Sequence, residues 1–188
     1  MPRNDWVGIV NQNKAGLSTD GNTLATFTTS AALFGDTAGS TDPVMVFPAN
    51  FWQVGRLVHI RARGIYGCTA TPTLTFRLQS IVGTVVTVVT SAAITLASGV
   101  TNQAWELDLQ VQGRTMGTTG TVLAFGDLNL GLTATTSTTY YLPASGTAPA
   151  TATINTGIAQ TWSIEVACSA SSASNTVKGI ILEVKSIN

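Results

Sequence analysis

Charged side chains are unusually scarce in this chain of 188 residues. They make up 10% of the sequence, against roughly 25% in an ordinary soluble domain. Lys plus Arg and Asp plus Glu number nine each, so the net charge at pH 7 is zero. Proteins that capture nucleic acid present a basic surface to the phosphates. The composition therefore predicts that nucleic acid is not a partner.

Residue types that carry out catalysis or bind metals are almost missing. His59 is the only histidine, and Cys68 and Cys168 are the only cysteines. A Ser-His-Asp or Cys-His device would have to use His59, and no serine lies in a Gly-x-Ser-x-Gly turn. A zinc site needs several His or Cys ligands. We therefore expect no enzymatic activity, no metal and no cofactor, with His59 at a surface or interface and both cysteines as buried free thiols.

Long apolar runs are also absent. No stretch of about 18 uninterrupted apolar residues occurs, which predicts that no segment spans a membrane. The amino terminus, MPRNDWVGIVNQNKAG, has no apolar run after its basic residue, so we expect no secretory signal. Long-side-chain helix formers are few, whereas Thr and Val, which favour strands, are abundant. With 44% hydrophobic residues, the chain is predicted to form one domain with a sizeable core.

A clear period of two runs through several segments of the chain. From Val58 to Tyr66 the even positions are mostly apolar, while His59, Arg61 and Arg63 occupy odd positions. Alternate side chains of a strand point to opposite faces of a sheet, so each such segment has a buried face and an outward face. The pattern predicts inward-facing core residues at Val58, Ile60, Leu74, Phe76, Leu78, Trp105, Leu107, Leu109, Trp162, Ile164, Val166, Ile180 and Leu182.

These segments and the turns between them predict an all-β fold, a single jelly-roll β-sandwich of about eight to ten antiparallel strands. Residues 1–23 are polar and are interpreted as an extended amino-terminal arm, which leaves residues 24–188 as the sandwich domain. Thr84–Leu96 predicts a strand with a bulge or one buried on both faces. Ser98–Gln103 is predicted to be a loop, and Thr133–Gly157 to be either disordered or a short edge strand. Periodicity does not fix the strand order.

A succession of short motifs runs through the middle of the chain, from Val44 to Phe125. Its members are P-A-N-F at 48–51, I-R-A-R-G at 60–64, T-P-T-L-T-F-R at 71–77, W-E-L at 105–107 and G-R-T-M-G-T-T-G at 113–120. This succession resembles jelly-roll virion proteins of tailed bacteriophages, of the head-decoration (cement) or head-fibre type. The motifs are structural rather than reactive, and they cover under half of the chain.

The resemblance implies a structural role in the phage particle. Its favoured form is capsid cement, which binds the outside of the major capsid protein lattice and stabilises the head. Such proteins commonly sit on the lattice as trimers, so the resemblance implies a homotrimer on the capsid exterior, assembled in the cytoplasm of the host bacterium. The alternative is a receptor- or glycan-binding module of a head or tail fibre.

Seven residues are candidates for contacts with such partners: Trp6, Trp52, Arg61, Arg63, Arg77, Glu106 and Asp108. The two tryptophans fall outside the alternating pattern, and exposed tryptophan often anchors an interface. The arginines form either a solvated face or a face that binds another subunit or the capsid, where Arg is enriched. A basic set and an acidic set on different flanks of one subunit would meet head to tail around a rotation axis, as in a trimeric ring.

Pairs of acidic residues admit other interpretations. Glu106 and Asp108 share the outward face of one strand, where they form either a solvated or salt-bridging edge or the two carboxylates of a glycosidase. We favour the first, because the chain lacks an aromatic-rich groove on which sugars stack. Four further aspartates in Gly-, Ser- and Thr-rich segments predict turn capping rather than calcium binding, since no D-x-[DN]-x-[DN]-G loop is present. They are Asp20, Asp36, Asp42 and Asp127.

Overall fold

The structure is a computed structural model that describes residues 23–34, 45–133 and 135–187. Within these ranges it contains thirteen β-strands and no helix. The strands are β1 (Thr23–Ala25), β2 (Ala31–Phe34), β3 (Met45–Phe47), β4 (Leu57–Cys68), β5 (Thr73–Ser80), β6 (Val86–Thr90), β7 (Ile94–Thr95), β8 (Val100–Thr115), β9 (Gly120–Gly131), β10 (Ser137–Leu142), β11 (Thr151–Ile154), β12 (Gln160–Cys168) and β13 (Thr176–Ile187). Three of them, β1, β3 and β7, have only two or three residues. The ten longer strands agree with the eight to ten strands predicted from the sequence.

Two antiparallel sheets pack face to face as a sandwich. Sheet A has seven strands, in the order β1-β13-β4-β8-β9-β10 with β11 also paired to β9. Sheet B has six strands, in the order β2-β12-β5-β6 with β3 paired to β12 and β7 paired to β5. The prediction of an all-β sandwich is therefore confirmed.

Two ribbons connect the sheets. β4 of sheet A continues through residues 69–72 into β5 of sheet B, and β12 of sheet B continues into β13 of sheet A. Because β13 pairs with β4 and β12 pairs with β5, the two ribbons run side by side as they pass from one sheet to the other. This pairing fixes β4 in the middle of sheet A, between β13 and β8.

The core between the sheets follows the alternation closely. Eleven of the thirteen predicted core residues are at most 2% exposed, among them Ile60, Phe76 and Trp162. Cys68 and Cys168 are free thiols, each 2% exposed, as predicted. Burial raises the pKa of the Cys68 thiol, which makes it a poor nucleophile at neutral pH.

The two exceptions lie together on β13. Ile180 is 38% exposed, so its assignment to the core is wrong, and Leu182 is only partly buried against the core. The reason is a bulge between Gly179 and Ile181 in the pairing with β4. A bulge adds one residue to one strand and interrupts the period of two. The alternation resumes at Val184, which is fully buried.

Trp52 corrects another prediction, because it belongs to the core and is only 2% exposed. Its ring stacks on Trp162 with ring centroids 5.2 Å apart, and Phe47 lies 5.2 Å from the first ring and 5.1 Å from the second. β3 pairs with β12, which places Phe47 beside the strand that carries Trp162. The turn after β3 then folds Trp52 back onto these rings. A residue so enclosed is not an anchor for a partner.

Gly64 is required by the packing of the inner face of sheet A. It lies directly opposite Trp105 on β8, and the indole Nε1 of Trp105 donates a hydrogen bond to the carbonyl of Lys178, at 3.2 Å. A Cβ atom on Gly64 would stand 1.9 Å from that carbonyl oxygen and 2.7 Å from the indole ring. Only glycine lets the indole cross the strand to reach β13.

Three segments that lack a clear alternation in the sequence contain strands in the structure. Ser98–Gln103 is not a loop throughout, because β8 begins at Val100, which pairs with Cys68 at the end of β4. Thr84–Leu96 contains β6 and β7, and the pairing of β6 with β5 shifts register, as predicted for a bulged strand. Thr133–Gly157 contributes β10 and β11, which both pair with β9. The predicted arm, residues 1–23, lies outside the described residues except for Thr23, which begins β1.

Candidate functional site: the outer face of sheet A

The outer face of sheet A is a grid of side chains built by strand pairing. Residues directly opposite one another form rows that cross the sheet from β13 to β10. The central row consists of Glu183, Arg61, Asp108, Asp127 and Tyr141. The flanking rows are Lys185, His59, Gln110 and Phe125 on one side and Ile181, Arg63, Glu106, Asn129 and Thr139 on the other.

Asp108 is the hub of an ion-pair network on this grid. Its Oδ1 lies 2.5 Å from His59 Nε2. Its Oδ2 accepts hydrogen bonds from Arg61, at 3.2 Å from Nε and 2.9 Å from Nη2. One carboxylate therefore holds two side chains of β4. Because all three side chains are bound across the strands, the centre of the face is fixed in one arrangement.

Glu106 extends the network along the same strand. Its Oε1 accepts a hydrogen bond from Arg63 Nη2 at 2.7 Å and lies 3.5 Å from Arg61 Nε. On β13, which pairs with the other side of β4, Lys185 forms an ion pair with Glu183. The paired side chains are between 22% and 47% exposed. Isolated exposed pairs contribute only about 0–1 kcal/mol each, so the network orders this surface more than it stabilises the fold.

The pKa values of the acids reflect this arrangement. Burial alone would raise the pKa of Asp108, but hydrogen bonds from His59 and Arg61 lower it below its ordinary value. The pKa of Glu183 is lowered by the hydrogen bond from Lys185. The pKa of Arg61 is raised by the hydrogen bond to Asp108. Each of these three shifts favours the charged form of its own group, Asp108, Glu183 or Arg61.

The pKa of Asp127, another acid on this face, is shifted in the opposite direction from that of Asp108. Asp127 lies directly across from Asp108, and the pKa of its carboxyl is raised by burial and by the charges of Asp108 and Glu106. Like charges placed opposite each other on neighbouring strands are destabilising. Asp127 lies inside β9, so its assignment to a turn is wrong. The other three aspartates proposed as turn caps, Asp20, Asp36 and Asp42, lie outside the described residues.

Exposed apolar side chains surround the charged centre. In the part of the chain that the structure describes, nine large apolar side chains are exposed, and five of them lie on β9, β10 and β13 of sheet A. Phe125 and Tyr141 are 51% and 54% exposed at the β9 and β10 end. The others, on β13, are Ile180, Ile181 and Ile187. Clustered exposed apolar groups on an ordered surface are typical of a binding face.

The outer face of sheet B is different, because small hydroxyl residues dominate it. Arg77 lies there, opposite Glu165 and Thr90 in the pairing of β5 with its neighbours. It forms no ion pair with another described residue, and its side chain is half-buried. The sequence grouped Arg77 with Arg61 and Arg63, but the structure places it on the opposite side of the sandwich.

The structure therefore brings four of the seven candidate residues together: Arg61, Arg63, Glu106 and Asp108. It places Arg77 elsewhere and Trp52 in the core, and Trp6 lies outside the described residues. Arg61 and Arg63 of the basic set are neighbours of Glu106 and Asp108 within one subunit. They are not on separate flanks, so the argument that they pair between subunits of a ring is wrong.

Sequence reasoning did not identify Phe125, Tyr141, Glu183 and Lys185 as members of one face. The alternation in β9 could have identified Phe125 as an outward residue, because Leu128 and Leu130 occupy the even, inward positions of that strand and Phe125 an odd one. No comparable pattern marks Tyr141, Glu183 and Lys185, because β13 contains a bulge and β10 lies in a segment of low complexity. Only strand pairing reveals that they are neighbours.

Glu106 and Asp108 form a salt-bridging edge, which is one of the two interpretations that the sequence left open for this pair. A glycosidase needs one carboxyl with a raised pKa to protonate the leaving oxygen, whereas the pKa of Asp108 is lowered and Glu106 is bound by Arg63. Among the described residues, no three His, Cys, Asp or Glu side chains are grouped so that they could hold a metal ion. Nor do those residues contain a helix long and apolar enough to cross a membrane.

Comparison with known proteins gives no relative to which this face can be related. The chain matches no protein-family model, no curated protein and no solved structure. The function must therefore be inferred from the resemblance of its motifs and from the chemistry of its surface.

Proposed function

We propose that this protein is a structural component of a tailed bacteriophage particle. Its favoured role is capsid cement, and it binds the major capsid protein through the outer face of sheet A. The resemblance in residues 44–125 supports the virion role, and three of its motifs, at 60–64, 71–77 and 105–107, fall within or overlap β4, β5 and β8. We choose this surface because its centre is ordered by ion pairs and exposed apolar side chains lie around that centre.

Such a face fits a protein partner for two physical reasons. Phe125, Tyr141 and the exposed isoleucines gain free energy when a partner removes them from water. Asp108 and Glu106 are already paired with arginines within the subunit, so a partner that covers these two side chains need not supply counter-charges for them. A side chain that is fixed before binding also loses less entropy when the partner arrives.

The resemblance also implies a homotrimer on the capsid surface. The trimer now rests on the resemblance alone, because the ion pairs that would have joined the subunits are satisfied inside each one. Closed rings of identical subunits are a common arrangement on symmetric lattices. A molar mass measured by light scattering on the purified protein tests this part of the proposal separately.

The location in the particle can be tested by immunogold electron microscopy on the phage that encodes this chain. Antibodies against the purified protein are expected to label heads, and label confined to the tail tip would contradict the cement role. Binding can then be measured by adding purified variants to heads stripped of this protein. We expect Phe125→Ser to lose at least about tenfold in affinity, which corresponds to about 1.4 kcal/mol.

Val85→Ser provides a matched control for that measurement. Val85 is 56% exposed, similar to Phe125, but it precedes β6 in sheet B. Its replacement removes a similar exposed apolar group from a different surface and should leave attachment unchanged. Equal losses in the two variants would show that the outer face of sheet A is not the attachment surface.

A glycan-binding role on a head or tail fibre is the second candidate. It is favoured by one arrangement, in which the exposed rings of Phe125 and Tyr141 flank the carboxylate of Asp127. Aromatic rings offer an apolar face to a ligand, and a neighbouring carboxylate accepts hydrogen bonds from hydroxyl groups. Binding of the purified protein to host polysaccharides on a glycan array, with no binding to heads, would favour this role over cement.

A further inference from the structure

In the part of the chain that the structure describes, β10 is an edge strand of sheet A. Among the described residues it pairs only with β9, so the alternate N–H and C=O groups on its other side face away from the sheet. Four of its six residues have exposed side chains, and Tyr141 is 54% exposed. Natural edge strands are usually protected by charged residues, bulges or covering segments. β10 pairs with β9 without a bulge.

The segment of the chain that contains this edge carries no charged residue. Residues 128–164 contain no Asp, Glu, Lys, Arg or His. β10 itself reads STTYYL, which is rich in Thr and Tyr, two residues that favour strands. The segment is therefore a good strand former that lacks the charges which would repel another strand.

We propose that β10 pairs with β10 of a second copy of this chain, antiparallel across a two-fold axis. A two-fold axis brings each residue near its own counterpart, so an edge with a charged centre would oppose like charges there. An uncharged edge avoids that repulsion, which is why the observed composition fits a second copy. A dimer of this kind does not depend on the virion role, but it competes with the homotrimer that the resemblance implies, and the measured molar mass decides between the two.

The pleat of the strand restricts the register of this pair. Residues opposite one another in an antiparallel pair lie on the same side of the sheet. Thr139 and Tyr141 belong to the outer face, so outer residues must oppose outer residues if the two sandwiches lie side by side. The register centred on Thr139 satisfies this rule and places Tyr141 opposite Ser137 of the second copy. It also leaves Pro143, which has no N–H, beyond Leu142 at the end of the strand.

The pairing would unite the outer faces of two copies in one surface. Neighbouring strands lie about 4.8 Å apart, so β9 of one copy would be about 14 Å from β9 of the other. The rings of Phe125 and Tyr141 would then lie on one combined outer face, one pair of rings on each side of the two-fold axis. A partner that covers this combined face would contact both copies.

A cysteine at the two-fold axis tests the pairing directly. In either type of antiparallel pair the Cα atoms of opposite residues are about 4.5–5.5 Å apart, which a disulfide can bridge. We expect Thr139→Cys to form a covalent dimer under mild oxidation, at least about tenfold faster than Thr153→Cys. Thr153 is also exposed but lies on β11, away from the proposed axis. The natural cysteines are buried and should not contribute.

A second measurement does not depend on the choice of register. Light scattering of the wild-type protein over increasing concentration should approach twice the mass of the chain, and Thr139→Lys should remain a monomer with an unchanged circular dichroism spectrum. Thr153→Lys is the matched control and should still dimerise. A wild-type protein that stays monomeric would overturn the proposal. So would equal cross-linking of the two cysteine variants, or a trimer in which Thr139→Cys does not cross-link.

Discussion

Sheet A has two faces that are made by the same strands but held together by different forces. On β8, Leu107 and Leu109 are fully buried, whereas Glu106 and Asp108, their neighbours in the chain, lie on the outer face. The inner side chains are fixed by close packing against sheet B, which tolerates little change in volume. The outer side chains are fixed by ion pairs in partial contact with water.

The difference implies a division of roles between the faces. Loss of a packed inner side chain leaves a cavity and removes apolar contacts, both of which destabilise the fold. Loss of an outer ion pair costs much less, because water replaces part of the interaction. The outer face can therefore carry binding residues without endangering the fold. Four substitutions test this comparison.

Leu107→Ala should have the largest effect. Leu107 is fully buried on the inner face, and replacement of such a leucine by alanine destabilises a protein by about 2–5 kcal/mol. The free energy of unfolding, measured by urea denaturation, provides the test. A loss below about 1 kcal/mol would show that this face is loosely packed.

Gly64→Ala should come next, although it adds only one methyl group. The added Cβ would collide with the carbonyl of Lys178 and with the indole of Trp105. Such overpacking costs about 1–3 kcal/mol. Tryptophan fluorescence should change as well, because the indole must move. A variant with wild-type fluorescence and stability would contradict the described contact between β4 and β8.

Asp108→Asn should cost about 1–2 kcal/mol at neutral pH, since charged hydrogen bonds to His59 and Arg61 are weakened. The pKa of Asp108 in the folded protein is lowered from 3.8. Its contribution is therefore present above pH 3.8 and is lost as the pH falls through the lowered pKa. The difference in unfolding free energy between wild type and variant should shrink in that range. A difference that stays constant down to pH 2 would disprove the assignment.

Asp127→Asn should have the smallest effect and the opposite sign. The pKa of Asp127 is raised from 3.8, so its charged form is unfavourable in the folded protein at neutral pH. Removing the charge should stabilise the fold by about 0.2–1 kcal/mol. The gain should disappear as the pH falls through the raised pKa, because wild-type Asp127 is then protonated. Destabilisation at neutral pH would mean that Asp127 has a favourable partner.

Local sequence was sufficient to predict most of the fold. The alternation of Leu107 and Leu109 with Glu106 and Asp108 predicted which face of β8 is buried, because a strand directs successive side chains to opposite sides. Composition predicted an all-β sandwich, since residues that favour strands replace those that favour helices. Alternation failed at Ile180, where a bulge shifts the register by one residue. It also failed at Trp52, which a turn returns to the core.

The candidate site was decided by tertiary structure. The sequence identified Arg61, Arg63, Glu106 and Asp108 as outward residues, but it did not show that β4 and β8 are neighbours, which makes them one network. Nor did the sequence show that Arg77 lies on the other sheet, or that Phe125 and Tyr141 are on neighbouring strands. The physical reason is that the period of two depends on the backbone of a single strand. The choice of neighbouring strands depends on contacts between residues that are far apart in the chain.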